Sequence, residues 1–318
     1  MSGKLAPNSF RSVFKTIDKD LVRWFPGHMG KGLKQMQHKL RSVDCIIEVH
    51  DSRIPISGIN TDFKYTVSGI KPHILVLNKV DLIDARYKSL IENHLKDDYK
   101  HVIFTECKNQ QCNGLKQIFP LAQKLIKESD RYNRATEEDC NIMIIGVPNV
   151  GKSSLINALR ARYFGKGNAT TVGAVPGVTR SVLHKIKLSD KPLFYMLDTP
   201  GILSPKISNV ETGLKLALCS TIADHMVGER ILADYLLYWL NKNEHFDYVK
   251  VFDLEEQSDN ILDVLTHVAK VNKKYLKFKD TMNNYIIAPN LDHAANMFLK
   301  AFRTGNLGKI MLDEDIIR

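Results

Sequence analysis

The fold of this chain is decided by the stretch Gly146-Val147-Pro148-Asn149-Val150-Gly151-Lys152-Ser153-Ser154, which fits the pattern GxxxxGK[ST]. The apolar run 142–145 before it predicts a buried strand, and the periodic run 152–162 after it predicts a helix. In such a loop main-chain N–H groups cradle phosphates, the Lys152 ammonium reaches the β and γ oxygens, and the Ser153 hydroxyl can bind Mg²⁺. We therefore expect a phosphate-binding loop whose contact residues are Asn149, Val150, Gly151, Lys152, Ser153 and Ser154.

The rest of the chain supplies a doubly wound α/β sheet around this loop. Buried strands are predicted at 45–49, 74–77, 102–104, 142–145 and 193–197, and helices at 84–97, 113–128 and 152–162. This alternation is typical of a mostly parallel sheet with helices on its faces. After Pro205 the apolar residues follow helical spacing. We therefore expect an N-terminal arm (1–43), an α/β domain (44–203) and a smaller, mainly α-helical domain (204–318).

A second motif, Asn78-Lys79-Val80-Asp81, follows the predicted strand 74–77 and indicates recognition of guanine. Guanine presents two adjacent donors, N1–H and the N2 amino group, and the Asp81 carboxylate can accept both. Adenine lacks this pair, so a site built around it discriminates against ATP. Asn78 would tie the base to the phosphate loop, and the Lys79 stem would pack over the purine. The loop after strand 102–104 would contact the base through the main chain of Thr105, Glu106 and Cys107.

A third motif, Asp198-Thr199-Pro200-Gly201, ends the predicted strand 193–197. In this position Asp198 would hold the Mg²⁺ shell, and the Gly201 N–H would reach the γ-phosphate and respond to its loss. The segment 176–179 (PGVT) lies between this motif and the phosphate loop. Its Thr179 would supply the hydroxyl of the first switch to Mg²⁺, with Thr170 and Thr171 as alternatives.

The order of the three motifs predicts a circularly permuted domain. In an ordinary GTPase the phosphate loop comes first and the guanine motif comes near the end. Here the guanine motif precedes the phosphate loop, and Asp198–Gly201 comes last. Residues 107–141 would then close the original termini. Because the new ends lie beside the second switch, loss of γ-phosphate would move segments joined to both flanking regions.

These motifs, with Trp24-Phe25-Pro26-Gly27-His28-Met29 and Asp51-Ser52-Arg53-Ile54-Pro55, occur in an order that resembles the circularly permuted GTPases that assemble the large ribosomal subunit. Ser52 departs from the alanine usual in that family. The resemblance implies GTP/GDP as ligand, GTP hydrolysis and docking on ribosomal RNA of the large subunit. For a mitochondrial member it further implies a matrix location, with association to the inner membrane on the matrix side. We expect a monomer.

The sequence lacks the water-orienting glutamine that Ras-like enzymes use in catalysis, because Ile202 occupies that position. Two residues are candidates to compensate. His28 lies in the Trp24–Met29 arm and could orient water. Asn149 corresponds to a residue that binds a monovalent cation in the potassium-dependent GTPases that this chain resembles, which makes K⁺ a candidate cofactor. A nucleotide-gated ribosome-binding scaffold with negligible turnover remains the alternative.

The charge of the chain indicates a polyanionic partner. With 45 basic and 35 acidic residues the formal charge is +10. The basic residues concentrate in 21–43, 158–191 and 264–279. In the last segment Tyr275 and Phe278 either stack on RNA bases or pack in the core. The same charge would suit peripheral contact with an anionic membrane.

Composition and the N-terminus limit the remaining classes. No apolar run approaches the roughly 20 residues that cross a bilayer. The five cysteines contain no CxxC pair, so neither a zinc ribbon nor a disulfide framework is expected. The first 17 residues carry three basic residues and no acid, with apolar residues at helical spacing. They fit either part of a mitochondrial import signal or a basic N-terminus without that role.

Overall fold

A computed structural model describes residues 10–15, 36–60, 63, 71–131, 134–165, 185–202, 207, 209–279 and 283–317. Within these ranges the chain forms two compact units. The sheet unit takes the described residues between 36 and 223 together with 311–317. The helical unit takes 10–15 and 224–310.

The sheet unit is built on a six-stranded sheet in which the five predicted strands are present. Its strands are β1 (Cys45–Asp51), β2 (His73–Asn78), β3 (Val102–Phe104), β4 (Cys140–Ile145), β5 (Lys185–Asp190) and β6 (Leu193–Asp198). Their order is β3-β2-β1-β4-β6-β5, and only β5 runs antiparallel to its neighbour. The sequence did not predict β5, because this edge strand alternates exposed and buried positions and carries two lysines.

The helices of this unit lie where the alternation predicts them. They are α1 (Tyr87–Leu95), α2 (Asn113–Glu128), α3 (Lys152–Phe164) and α4 (Val210–Leu218), with 3₁₀ turns at Leu40–Ser42 and Val80–Leu82. The α1 helix is shorter at both ends than predicted. The α3 helix begins directly after the glycine-rich loop that follows β4, as the motif requires.

Parallel pairing brings the ends of four strands to one edge of the sheet. In register, Asp51 of β1 pairs with Asn78 of β2, and Ile144 of β4 pairs with Asp198 of β6. β1 lies between β2 and β4. The third and second motifs of the chain therefore flank the phosphate loop from opposite sides. Ligands of open α/β sheets bind at this carboxyl edge. The motif order along the chain and this topology together give a circularly permuted fold.

The helical unit has its own apolar core and one hairpin. Its helices are α5 (Asp224–Val227), α6 (Glu229–Lys242), α7 (Asp247–Val251), α8 (Ile261–Val271) and α9 (Leu291–Arg303), and its strands are β7 (Tyr275–Lys279) and β8 (Tyr285–Pro289). The hairpin was not predicted. Tyr275 and Phe278 are about half exposed, at 50% and 48%, so the interpretation of these rings as core residues is wrong. No helix among the described residues is long and apolar enough to cross a membrane.

Residues 10–15 pack on the helical unit. The Arg11 guanidinium pairs with Asp234 at 2.8 Å and with Asp259 at 3.1 Å. The Phe14 ring lies 5.3 Å from the ring of Tyr235. Part of the basic N-terminal stretch therefore has a structural role in the folded chain.

The division into units differs from the domain boundaries predicted at 43 and 203. The α4 helix and residues 311–317 belong to the sheet unit, whereas 10–15 belong to the helical unit. The change of periodicity after Pro205 marks where helices begin. It does not indicate which core each helix covers, because helical spacing is the same for both.

Asp44 fastens the region where the permutation closes the original termini. Its buried carboxylate accepts hydrogen bonds from Nε of Arg131 at 3.2 Å, from Nε of Arg134 at 3.1 Å and from the main-chain N–H of Asn141 at 2.7 Å. The first two donors lie between α2 and β4, and the third lies in β4. One carboxylate thus joins the start of β1 to the connection that the permutation adds.

We predict that Asp44→Ala destabilises the sheet unit by about 3 kcal/mol, because it leaves a buried guanidinium and a buried N–H without their acceptor. Urea denaturation followed by circular dichroism measures this loss. The matched control is Asp190→Ala, which removes an exposed ion pair with Lys187 and should cost less than about 1 kcal/mol. Equal losses in the two variants would contradict the role given to Asp44.

Candidate functional site

The phosphate loop requires its glycines because other parts of the fold approach it closely. Gly146 and Gly151 adopt φ values of +147° and +102°. A Cβ atom on Gly151 would lie 2.2 Å from Nδ2 of Asn78, and one on Gly146 would lie 2.3 Å from the carbonyl oxygen of Val49. Only glycine is compatible with these contacts. The loop is therefore fixed against β1 and against the predicted guanine motif.

Lys152 begins α3 with its ammonium turned into the loop. Its Nζ donates to the carbonyl oxygens of Gly146 at 3.1 Å and Val147 at 2.9 Å. Burial lowers the pKa of Lys152 to about 8, and the negative charge of Asp198 opposes this shift. An anion at the loop would favour the charged form of this lysine. Ser153 and Ser154 follow in the first turn of α3, where the positive end of the helix dipole attracts anions.

Asn78 joins three loops through one buried side chain. Its Nδ2 donates to the carbonyl oxygen of Val150 at 2.8 Å. Its Oδ1 accepts from Oγ1 of Thr105 and from the main-chain N–H of Cys107, both at 3.2 Å. The amide thereby connects the guanine motif, the phosphate loop and the loop after β3. The contact with the phosphate loop belongs to the role predicted for Asn78, and its tie to the base stays a prediction.

Lys79 makes a second bridge between the guanine motif and the phosphate loop. One of its partners is Asp51 of β1, for which no individual role was predicted. Its Nζ lies 2.8 Å from Oδ2 of Asp51 and donates to the carbonyl oxygen of Asn149 at 2.8 Å. Asp51 also accepts two hydrogen bonds from the Arg53 guanidinium, at 3.0 and 2.8 Å. These two cations hold the pKa of Asp51 well below its usual range despite its burial. The sequence signal that could have identified Asp51 is its position at the end of β1, because the ends of neighbouring parallel strands converge at one edge of the sheet.

The remaining residues predicted on the base side lie next to this bridge. Asp81 lies in the 3₁₀ turn Val80–Leu82. The N–H of Val80 donates to the carbonyl oxygen of Thr105 at 3.1 Å, and the N–H of Glu106 donates to Sγ of Cys112 at 3.4 Å. Burial raises the pKa of the Cys107 thiol to about 12, so this residue offers a neutral side chain to its surroundings.

The third motif packs directly on the phosphate loop. Oγ1 of Thr199 donates to the carbonyl oxygen of Ile144 at 2.6 Å. A Cβ atom on Gly201 would lie 2.6 Å from Cα of Pro148. Ile202 donates its N–H to the carbonyl oxygen of Gly146 at 3.3 Å, and its side chain is buried in a cluster of apolar residues. Its side chain is thus part of the apolar core and carries no polar group that could orient a water molecule.

The donors beside the loop fit a magnesium ion held partly by phosphates. Such an ion needs one or two protein oxygens and takes its other ligands from water and phosphate. The Asp198 carboxylate at the end of β6 and the Ser153 hydroxyl at the start of α3 are oxygen donors of this kind. In the described part of the chain no three His, Cys, Asp or Glu residues form a metal cluster. The donor set therefore suits Mg²⁺ with nucleotide.

Asn149 lies at the turn of the phosphate loop with a positive φ of 60°. Its Nδ2 donates to the carbonyl oxygen of Ser220, just beyond α4, at 2.7 Å. This contact fixes the orientation of the amide group. His28, Thr179, Thr170 and Thr171 lie outside the described residues, so their predicted roles stay predictions.

We predict that Asn78→Ala weakens GDP binding by at least about 100-fold, because it removes a hydrogen bond to each of two loops and leaves buried partners unsatisfied. Fluorescence titration with a mant-labelled nucleotide measures this change. Thr105→Val is the matched control, since it removes only one of the hydrogen bonds to Asn78. We expect a change of about fivefold in that variant. If both variants bind GDP like the wild type, Asn78 does not organise the site.

Comparison with known proteins identifies the family. The sequence profile described as "50S ribosome-binding GTPase" matches residues 141–292. A relative from Aedes aegypti named "Mitochondrial GTPase 1" is 55% identical over 97% of this chain and 98% of its own length. "Mitochondrial ribosome-associated GTPase 1" of Bos taurus is 50% identical, over 98% of this chain and 94% of its own length.

A solved structure shares the fold. The GNP-bound YlqF protein of T. maritima superposes with a TM-score of 0.54, covering 89% of this chain and 97% of its own, at 22% sequence identity. The permuted sheet order, the three loops at its carboxyl edge and the two full-length relatives agree. The chain belongs to the family of circularly permuted GTPases.

Proposed function

We propose that this GTPase is an assembly factor for the large subunit of the mitochondrial ribosome, acts in the matrix, and regulates ribosome maturation and translation. The observation that carries the proposal is the similarity, over nearly the whole chain, to a relative named as ribosome-associated and mitochondrial. The formal charge of +10 supports it, because a ribosome is a large polyanion. We propose that the protein docks as a monomer.

In this proposal each residue of the nucleotide site makes a specific contact with GTP or with Mg²⁺, or supports such a contact. Asp81 accepts hydrogen bonds from the guanine edge, Lys79 packs over the ring, and Asn78 holds both to the phosphate loop. The main chain of 105–107 borders the base, and Asn149 to Ser154 surround the phosphates. Lys152 binds the β and γ oxygens, and the N–H of Gly201 contacts the γ-phosphate. Ser153, Asp198 and Thr179 would hold Mg²⁺, which neutralises charge on those oxygens.

Hydrolysis by the isolated protein should be slow. The Ile202 side chain is buried in the core, so it cannot orient an attacking water. We propose that a monovalent cation held by Asn149 and the His28 arm complete the site when the ribosome is bound. Catalysis would then depend on docking.

The hairpin β7–β8 supports contact with RNA. Nζ of Lys277 lies 4.2 Å from the centre of the Tyr285 ring, and Nζ of Lys279 lies 5.3 Å from it. All residues of β7 are exposed. Exposed rings among lysines are typical of surfaces that bind RNA. Contact with an anionic inner-membrane surface uses the same charge and is the alternative source of attraction.

A second candidate function is a nucleotide-gated scaffold with negligible turnover. The burial of Ile202 favours it, because this apolar side chain cannot orient an attacking water. Binding and release would then follow nucleotide exchange alone. Turnover on the ribosome distinguishes the two functions.

We predict that the protein sediments with purified large mitochondrial subunits in the presence of a non-hydrolysable GTP analogue and is released with GDP. Ribosomal RNA docking would require the switch conformation set by the γ-phosphate. The measurement is sucrose-gradient sedimentation, with small subunits and anionic vesicles as comparison particles. Binding to vesicles alone, or equal binding to both subunits, would contradict the proposal.

Purified large subunits also distinguish a GTP-hydrolysing enzyme from a scaffold with negligible turnover. We expect large subunits to raise the GTPase rate at least tenfold, and His28→Ala to remove most of this increase without changing the basal rate. An unchanged rate on subunits that bind the protein would favour the scaffold. Full stimulation in His28→Ala would remove the arm from the mechanism.

We predict that GTP hydrolysis is at least several-fold faster in K⁺ than in Na⁺ of equal concentration, and that Asn149→Ala abolishes the difference. The Asn149 amide is held beside the phosphate loop by Ser220, which suits an oxygen ligand for a weakly hydrated cation. Asn296→Ala, an exposed change on α9, is the control. Equal rates in the two salts for the wild type would exclude the cation.

A further inference from the structure

Residues 311–317, which we call the strap, leave the helical unit and return to the sheet unit. Met311 is buried in the apolar cluster that contains Leu75 and Leu77. The N–H of Leu312 donates to the carbonyl oxygen of Arg53 at 2.7 Å. The short helix α10 (Glu314–Ile317) completes the segment. The strap is thus a buried part of the unit that carries the nucleotide site.

Asp313 is the main polar anchor of the strap. Its carboxylate is fully buried. Oδ2 accepts hydrogen bonds from the N–H groups of Ile56 at 2.9 Å and Ser57 at 2.8 Å, and Oδ1 accepts from Oγ of Ser57 at 2.6 Å. The carboxylate therefore fixes the loop that follows β1. Asp51, the last residue of β1 before that loop, pairs with Lys79, and Arg53 in the loop donates to Asp51.

Lys215 connects the strap to α4. Its Nζ lies 2.7 Å from Oδ1 of Asp315 and 3.5 Å from Oδ1 of Asp313. Its side chain is 2% exposed, so the ammonium depends on these two carboxylates. The α4 helix is the first helix after the Asp198–Gly201 motif and ends beside Ser220, which accepts the hydrogen bond from Asn149.

These contacts close a ring around the nucleotide site. The ring runs from the strap through the loop after β1 to Asp51 and Lys79, and from Lys79 to the carbonyl oxygen of Asn149. It returns through Ser220 and α4 to the strap. Neither Asp313 nor Lys215 is among the residues that we propose to contact the nucleotide. Asp313 is linked to Lys79 through the loop after β1 and Asp51. Lys215 is linked to Asn149 through α4 and Ser220.

We propose that the strap is a positioning element for the guanine nucleotide, in which Asp313 and Lys215 hold the Asp51–Lys79 pair in place and slow nucleotide dissociation. The inference rests on the proposed guanine site and extends it. Asp313 and Lys215 are positioning residues. Because α4 follows the Asp198–Gly201 motif, the tightness of the strap also depends on which nucleotide is bound.

The test is the dissociation rate of mant-GDP from the full-length protein. Asp313→Ala should accelerate dissociation at least about tenfold, because the Ile56 and Ser57 N–H groups lose a charged acceptor. Asp313→Asn, which keeps one acceptor oxygen, should have a smaller effect, and Ser57→Ala the smallest. A graded increase in this order supports the proposal.

A control separates positioning from general stability. Ile126→Ala creates a cavity near the end of α2, outside the ring, and should lower the unfolding temperature without changing the dissociation rate. If Asp313→Ala lowers the unfolding temperature but leaves dissociation at the wild-type rate, the proposal is overturned. If Ile126→Ala accelerates dissociation as much as Asp313→Ala, it is overturned as well.

Hydrogen exchange gives an independent readout by reciprocity, since a strap that stabilises bound nucleotide must itself be stabilised by nucleotide. GDP should slow exchange of the amides of Leu312, Ile56 and Ser57 in the wild type. In Lys215→Met the protection should no longer differ between GDP and a GTP analogue. If nucleotide does not change the protection of these amides in the wild type, the inference about the strap is overturned and the proposed guanine site is not. Failure of the wild type to bind mant-GDP overturns the proposed guanine site as well.

Discussion

The structure depends on the hydrogen bonds of one buried amide, that of Asn78. Its Nδ2 meets the carbonyl oxygen of Val150 at 2.8 Å, and its Oδ1 serves two donors of the loop after β3. The close approach is possible only because Gly151 has no side chain, since a Cβ atom there would lie 2.2 Å from Nδ2. The loop of the predicted guanine motif and the glycine-rich loop are therefore mechanically coupled. Neither loop can move without breaking a buried polar contact, which costs more than the bond itself contributes.

Permutation changes what is attached to this site and leaves the site itself in place. In a parallel sheet the strand order decides which loops are neighbours. The strand order here brings the three motifs to one edge of the sheet, although they follow one another along the chain in a different order from that of an ordinary GTPase. The consequence lies at the ends. Within the helical unit, residues 224–310 are joined to the sheet unit on one side through α4 and on the other through the strap. Both connections reach the nucleotide site by short chains of contacts. Movement of residues 224–310 therefore has two covalent routes to that site.

The sequence predicted the sheet and the loops well, since buried strands are continuous apolar runs and the motifs have fixed spacing. It missed β5 and the hairpin β7–β8, where lysines interrupt the apolar residues and neither segment forms the continuous apolar run that marks the other strands. It gave no role to Asp51, because the pairing with Lys79 exists only when β1 and β2 align in register. Asp313 and Ser57 are separated by 256 residues. No local pattern can connect them, and only the tertiary fold shows that these two residues meet.

Ile202 and Lys152 lie close to the same loop and are buried for different reasons. The main chain of Gly201 packs on Pro148, where a Cβ atom would lie 2.6 Å from Cα. Burial of the Lys152 ammonium lowers its pKa to about 8, so an anion at the loop would stabilise the charged form of this lysine. The Ile202 side chain lies instead among apolar core residues, and it has no polar group that could orient water. The loop is therefore suited to receive an anion, whereas a group that orients the attacking water must come from a position other than 202.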